Sequence, residues 1–269
     1  DEVPASDVVA GLALVGDALD GAATVGLAAL SGRIESLREA FLATTLHDVR
    51  QPVTLINGSL HLAQRWLEAA ESDRDRLRET VGDALSATTE LMAMVDTMSD
   101  ASRVAMGRLD PDPEPASLEA IIDSSLAAFG ASARRRVSVD VPDGRHRIGL
   151  WDPQLLHRVV ANLVGNALKY SEGPVAVTVG DGSPGMARLT VTDRGLGLTA
   201  QELAVVFDRF TRADRVRSEG IPGLGLGLYA CRGIVVAHGG SIVIESDGAG
   251  QGTTVIVELP LLSDEQIVD

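Results

Sequence analysis

The spacing of apolar positions divides the chain near residues 107–117. Before that point, Leu42, Leu46, Val49, Val53, Ile56 and Leu60 recur at alternating steps of four and three. Leu77, Val81, Ala84, Thr88, Leu91, Val95, Met98 and Ser102 do the same. This period predicts two helices, each with one apolar seam, packed side by side. The polar run Glu71-Ser-Asp-Arg-Asp75 separates them. A lone hairpin leaves much of such a seam wet, so two copies are expected to pair into a four-helix bundle. Leu30, Ile34, Leu37 and Phe41 form a further stripe upstream, and its phase slips by one residue at Phe41–Leu42.

The divide carries three prolines in Asp110-Pro-Asp-Pro-Glu-Pro115, which no helix interior tolerates, and reads as a short stiff linker. Beyond it, short alternating runs and glycine-rich turns predict an α/β domain. Ser117–Phe129 reads as helix, and Val137–Val141 and Arg147–Trp151 as strands. Asp152 then Pro153 gives an N-cap with proline at the first helical position, opening a helix to Tyr170. Pro174–Val179 and Ala187–Asp193 are strands around the turn at 181–185. Thr199-Ala-Gln-Glu202 is a capping box. Gly225–His238 reads as helix closed by Gly239. Ser241–Ser246 and Thr253–Leu259 form a hairpin. The expected domains are an upstream linker or signalling helix at 1–33, the hairpin at 34–108, the linker at 109–116, the α/β domain at 117–262 and a tail at 263–269. In fold class this is α plus α/β, with a two-layer sandwich following the bundle.

The whole chain is 269 residues with net charge −15, which disfavours a nucleic-acid partner because that class needs a basic footprint. Cys231 is the single cysteine, so an intrachain disulfide and a multi-cysteine zinc site are excluded and a reducing compartment suits the chain. Val8–Leu30 is broken by Asp17 and Asp20 and does not read as a membrane span. A cytoplasmic location is expected, whether the parent protein is soluble or membrane-anchored. A start at Asp1 and not at Met is expected of a piece of a longer chain.

Three glycine clusters stand out: Asp193-Arg-Gly-Leu-Gly197 after a strand, Gly220-Ile-Pro-Gly-Leu-Gly-Leu-Gly227 before a helix, and Gly248-Ala-Gly-Gln-Gly252 in a hairpin. Glycines in turns are often only turns. At a helix start, however, they let a phosphate reach unpaired N–H groups, so Gly223, Gly225 and Gly227 are a candidate cradle. No G-x-x-x-x-G-K-[ST] is present, which excludes a P-loop. Asn162, Asn166 and Lys169, the only lysine, share one helical face. Two asparagines there are either a polar surface stripe or ligands; an amide oxygen suits a weakly held Mg²⁺ arriving with phosphates. Asp193 ends a strand, where it is either an ordinary turn residue or an acceptor for an exocyclic amine such as that of adenine. In the first part, His47 lies about 100° off the seam and should face solvent. Asp48 beside it can hold one ring N–H, and Pro52 allows the helix to bend.

In this order the motifs resemble the catalytic core of two-component sensor histidine kinases. Phe41-Leu-Ala-Thr-Thr-Leu-His-Asp-Val-Arg-Gln-Pro52 resembles the H-box, Asn162-Leu-Val-Gly-Asn-Ala-Leu-Lys-Tyr170 the N-box, and Asp193-x-Gly-x-Gly197 the G1 box. Phe207-Asp-Arg-Phe210 resembles the F-box and Gly223-Leu-Gly-Leu-Gly-Leu228 the G2 box. The resemblance implies a homodimer through the hairpin and a Bergerat-type ATP-binding domain. His47 would be autophosphorylated from ATP, and the phosphoryl group passed to an aspartate of a response-regulator receiver domain. It also implies Asn166 on Mg²⁺ with Asn162 helping, Lys169 on phosphate, Tyr170 beside the base, and Asp193 on adenine with Gly195 and Gly197 close to the nucleotide. The G2 residues Gly223, Leu224, Gly225, Leu226, Gly227 and Leu228, together with Thr253, complete the nucleotide set. Residues 199–222 would be a lid anchored by Phe207 and Phe210, with Arg212, Arg215 and Arg217 as γ-phosphate contacts. Asp48 stands where Glu is commoner, and Leu224 where a small polar residue is usual. Gln51 stands where Thr or Asn is commoner; Gln can also orient water, which leaves regulator dephosphorylation open. A nucleotide-sensing scaffold without chemistry and a chaperone-type ATPase are the competing readings; His47 and the hairpin argue against each.

Overall fold

The computed structural model describes residues 48–67, 74–141, 145–211 and 223–262. The chain forms two units, Asp1–Gln51 and Pro52–Asp269. Of the first, residues 48–51 are described and are helical. His47 lies outside the described residues, as do Arg212, Arg215 and Arg217.

The second unit opens with two helices, α1 (52–67) and α2 (Arg74–Ala105). Their inward stripe differs from the expected seam. In α1 the residues turned inward are Pro52, Ile56, Ser59, Ala63 and Trp66, whereas Val53 and Leu60 are exposed, Leu60 by 55%. In α2, Ala84, Ala87 and Ala101 are buried, while Val81, Leu85, Met92 and Val95 are exposed. The apolar arc on each helix is thus wider than one seam. One edge serves contacts within the chain and the other faces outward.

The α/β part then runs β1 (Glu114–Ser117), α3 (Leu118–Ala127), α4 (Ala131–Arg134), β2 (Val137–Asp140), β3 (Ile148–Trp151) and α5 (Pro153–Tyr170). It continues through β4 (Val175–Asp181), β5 (Met186–Asp193), α6 (Ala200–Val205), α7 (Gly227–Ala237), β6 (Ser241–Glu245) and β7 (Thr253–Pro260). Five strands form one sheet in the order β2-β4-β5-β7-β6, with β2 parallel to β4 and the other pairs antiparallel. Helix α5 packs on α3, α7 and β5, giving a helical layer over the sheet. Val164, Val177, Val179, Leu189, Ile234 and Val257 fill the space between the layers.

Local signals hold where they were sharp. Asp152 accepts from the N–H groups of Gln154 and Leu155, both at 3.0 Å, with Pro153 in the first turn. Thr199 and Glu202 make the reciprocal capping box. Besides the short α4, which was not expected, two elements differ from expectation. Glu114–Ser117, at the end of the proline-rich stretch, is a strand antiparallel to β3, with Pro115 opposite Leu150. A two-stranded ribbon has free edges, which is where a strand tolerates proline. The helix expected from Gly225 begins instead at Gly227. Gly225 has φ +64° and its carbonyl accepts the N–H of Phe210 at 2.9 Å, so it belongs to a loop.

Candidate functional site

A cavity of about 300 Å³ opens among α5, the loop after β5, the segment entering α7, the start of β7 and one face of α2. The amphipathic pattern of α5 explains its share. Leu156, Val160, Leu163 and Val164 are buried, which turns Asn162, Asn166, Lys169 and Tyr170 to the cavity wall. The Asn166 side-chain NH₂ donates to Asn162 Oδ1 at 3.0 Å. That commits the Asn166 nitrogen and leaves its oxygen as the atom suited to a cation. A Cβ at Gly227 would lie 2.5 Å from the Asn162 amide, so only glycine lets α7 begin against this pair.

Asp193 also lines the cavity and is 9% exposed. Its Oδ1 accepts the Gly195 N–H at 2.7 Å. Burial holds its carboxyl above the ordinary aspartate value, opposed by the N–H groups of Gly195 and Thr253. The Leu196 N–H donates to Tyr170 O at 3.0 Å, tying this loop to the end of α5.

The third glycine cluster has a role that the sequence did not disclose. The N–H groups of Gly250 and Gly252 donate to Leu196 O (2.7 Å) and Gly195 O (3.2 Å). Ser246 Oγ accepts the Leu198 N–H at 2.9 Å and donates to Gly252 O at 2.7 Å. The hairpin turn therefore buttresses the loop beside Asp193.

Gly197, Gly223, Leu224, Gly225, Gly227, Leu228 and Thr253 complete the expected residues on the wall. Three others stand behind it. Gly195 backs onto Tyr170 O, Leu226 is buried at the cap of α7, and Phe210, at φ +66°, is held by Gly225 O. The segment 207–210 is also gripped from α7, with Arg232 over the Phe207 ring at 5.4 Å and Arg209 over Tyr229 at 5.3 Å. In the other unit Asp48 is buried and Gln51 exposed.

Glu90, Ala93, Met94 and Thr97 of α2 line the cavity and were missed. The α2 seam gave no hint that this helix has a third face to cover. Further along it, Arg158 donates to the buried Asp100 at 2.6 Å. Val104 packs so tightly on Gly233 that a Cβ there would come within 2.4 Å. Cys231 is buried and its thiol is pushed up to about 12, chiefly by burial, so it is no ready nucleophile. Among the described residues no group of three or more His, Cys, Asp or Glu could hold a metal. No described helix is long and apolar enough to cross a membrane.

Two family models match the chain. The His Kinase A (phospho-acceptor) domain covers residues 37–107, and the histidine kinase-, DNA gyrase B- and HSP90-like ATPase covers 151–263. The chain belongs to the sensor histidine kinases and carries their phospho-acceptor and ATP-binding domains. It is similar to the sensor protein SrrB of Staphylococcus aureus, 27% identical over 84% of this chain and 39% of the relative. The chain therefore spans well under half the length of that curated relative. A mycobacterial sensor histidine kinase, MprB, is 33% identical over 55% of this chain and 97% of that one, with TM-score 0.47. Full-length ShkA, solved in complex with AMPPNP, shares the fold at TM-score 0.56 and 24% identity, covering 84% of this chain and 46% of that one.

Proposed function

We propose that this chain is the core of an ATP-dependent protein-histidine kinase that autophosphorylates His47 and then hands the phosphoryl group to an aspartate of a response-regulator receiver domain. The observation that carries this reading is the convergence of Asn162, Asn166, Lys169, Asp193 and both glycine loops on one cavity, in a chain that also contains a phospho-acceptor domain.

Asp193 is the proposed reader of adenine. Its oxygens accept, as an exocyclic amine requires, and the apolar Val191, Ile244 and Val255 supply a wall for a base. Tyr170 flanks the base, and Lys169 meets the phosphates. The backbone of Gly195, Gly197 and the run Gly223–Leu228 shapes the pocket around them, with Thr253 beside Asp193; Leu226 and Phe210 support that backbone from behind. Mg²⁺ bound to ATP supplies neutralisation of phosphate charge. Asn166 would hold it; a single neutral amide suits an ion that arrives with its nucleotide and not one kept by a preformed cage.

In the transfer, an imidazole nitrogen of His47 bonds to the γ-phosphorus as the bond to the β–γ bridging oxygen breaks, and ADP leaves. Such chemistry needs mainly positioning and charge neutralisation. Asp48 is the proposed partner for the other ring nitrogen, and Gln51 the proposed residue for orienting water if the regulator is dephosphorylated. The outward row Val53, Leu60 and Leu67 on α1, with Val81, Leu85, Met92 and Val95 on α2, is the proposed contact with a second copy in a four-helix bundle.

Labelled ATP tests the reading. The chain should take up acid-labile phosphate, and His47→Gln should lose it while still binding ADP. Acid-labile label persisting in the variant would refute His47 as the acceptor.

A further inference from the structure

Helix α5 carries Lys169 and Tyr170 in its last turn, and how that turn is held is not evident from the motifs. The last carbonyls of a helix lack intrahelical partners, and a glycine in left-handed conformation commonly brings in N–H groups to satisfy them. Helix α5 ends otherwise. Its C-cap Ser171 is extended, at φ −132° and ψ 138°.

Besides the Leu196 N–H on Tyr170 O, a donor to this end comes from Arg136, the residue before β2. Its Nη1 donates to Leu168 O at 3.4 Å, and its Nη2 donates to Gly173 O at 3.1 Å and to Ser171 O. The Arg136 carbonyl in turn accepts the Val175 N–H at 2.8 Å, where β4 begins. The guanidinium thus joins the end of α5 to the turn after it, while the main chain of the same residue ties that turn to the sheet. A cation at this end also complements the helix dipole. Its two neighbours in the run Arg134-Arg-Arg136 do no such thing: Arg134 reaches Val137 O and Arg135 is exposed.

From this geometry we infer that Arg136 is a positioning residue for nucleotide binding. It fixes the last turn of α5 from behind, and so sets where Lys169 and Tyr170 stand in the cavity and, through the Leu196–Tyr170 bond, where the Asp193 loop stands. Arg136 itself is absent from the cavity wall. The inference rests on the reading of the cavity as a nucleotide site.

The test uses the full chain. ADP affinity is measured by direct titration, and KM and kcat by autophosphorylation, for the wild type, Arg136→Ala and Arg136→Lys. Arg136→Ala should raise the ADP Kd and the ATP KM at least about fivefold, with kcat at saturating ATP within about twofold, because hydrogen bonds to a charged group are being removed from a site that does no chemistry. Arg136→Lys should recover part of the affinity, since an ammonium can serve one or two of three carbonyls. Arg188→Ala, which breaks an exposed pair with Glu258 instead, controls for generic loss of stability and should leave both constants in place. Should Arg136→Ala fail to fold, the rise in Kd for Arg136→Lys over wild type carries the test. Unchanged Kd and KM in a folded Arg136 variant, or a fall in kcat alone, would overturn the inference. Wild-type chain that binds no ADP would overturn the reading of the cavity itself.

Discussion

The α/β layers and the two helices before them bury apolar surface to very different degrees. In the α/β part Trp151 and Val164 are 0% exposed and Leu163 is 1% exposed, and α5 and α7 cover the sheet with α3 packed on α5. In α1 and α2 the inward positions are mostly small, among them Ser59, Ala63, Ala84 and Ala87, while Leu55, Leu60, Leu62, Leu85 and Met92 are left in water. Large side chains normally go inside and small ones are tolerated outside. The reversal here teaches that one part of the molecule is a finished domain, whereas the other is half of something. The larger apolar residues are the ones placed at the proposed contact with a second copy.

The sharpest way to break that contrast is to charge the outward row. Val95→Glu together with Leu60→Glu should weaken self-association by at least about a hundredfold, since burying two unpaired carboxylates costs several kcal/mol. The same pair should leave ADP affinity within about twofold, because neither residue touches the cavity. Sedimentation across a concentration series, with an ADP titration beside it, reads both. Unchanged dimer strength would mean that the outward leucines serve something other than a second copy.

A smaller effect tests how closely the finished domain is packed. Gly227→Ala places a methyl group 2.5 Å from the Asn162 amide and pushes on the Asn162–Asn166 pair. Overpacking of this kind costs about 1–3 kcal/mol, so ADP affinity should drop about tenfold or more and the melting temperature should fall with it. An affinity equal to wild type would mean that the pair is not part of the nucleotide's seat.

The same contrast separates what could be read in the sequence from what could not. Asp152 with Pro153, and Thr199 with Glu202, are local devices, and local devices announce themselves. The face shared by Asn162, Asn166 and Lys169 follows from helical period alone, and all three do meet at one cavity. What was illegible depends on distant partners. The strand at Glu114–Ser117 exists because Ile148–Trp151 is there to pair with it. Gly225 leaves the helix because Phe210 donates to its carbonyl. Ser246 and the 248–252 turn gain their role only when β6 and β7 bring them beside Leu196. The α2 face that lines the cavity lies past the buried edge, on the side away from the outward row, and nothing in a heptad pattern marks it.

Asp193 gives the subtlest test, because stability and binding should move apart there. Burial raises its carboxyl pKa in the folded chain, against the pull of the Gly195 and Thr253 N–H groups. An acid with a raised folded value binds its proton more readily folded than unfolded. Its charged form therefore costs stability at neutral pH, and that cost is relieved as pH falls through the folded value. Asp193→Asn removes the charge yet keeps an oxygen for the Gly195 N–H. At neutral pH the variant should melt no lower than wild type. It should bind ADP about tenfold more weakly, as expected when a charge-assisted hydrogen bond becomes an ordinary one. Across a series from about pH 8 to about pH 4, spanning the ordinary and raised carboxylate range, the two proteins should converge in ADP affinity as wild-type Asp193 takes up its proton. A variant that melts well below wild type at neutral pH would show that the carboxylate is held for structure. Equal ADP affinity at neutral pH would remove Asp193 from the base site.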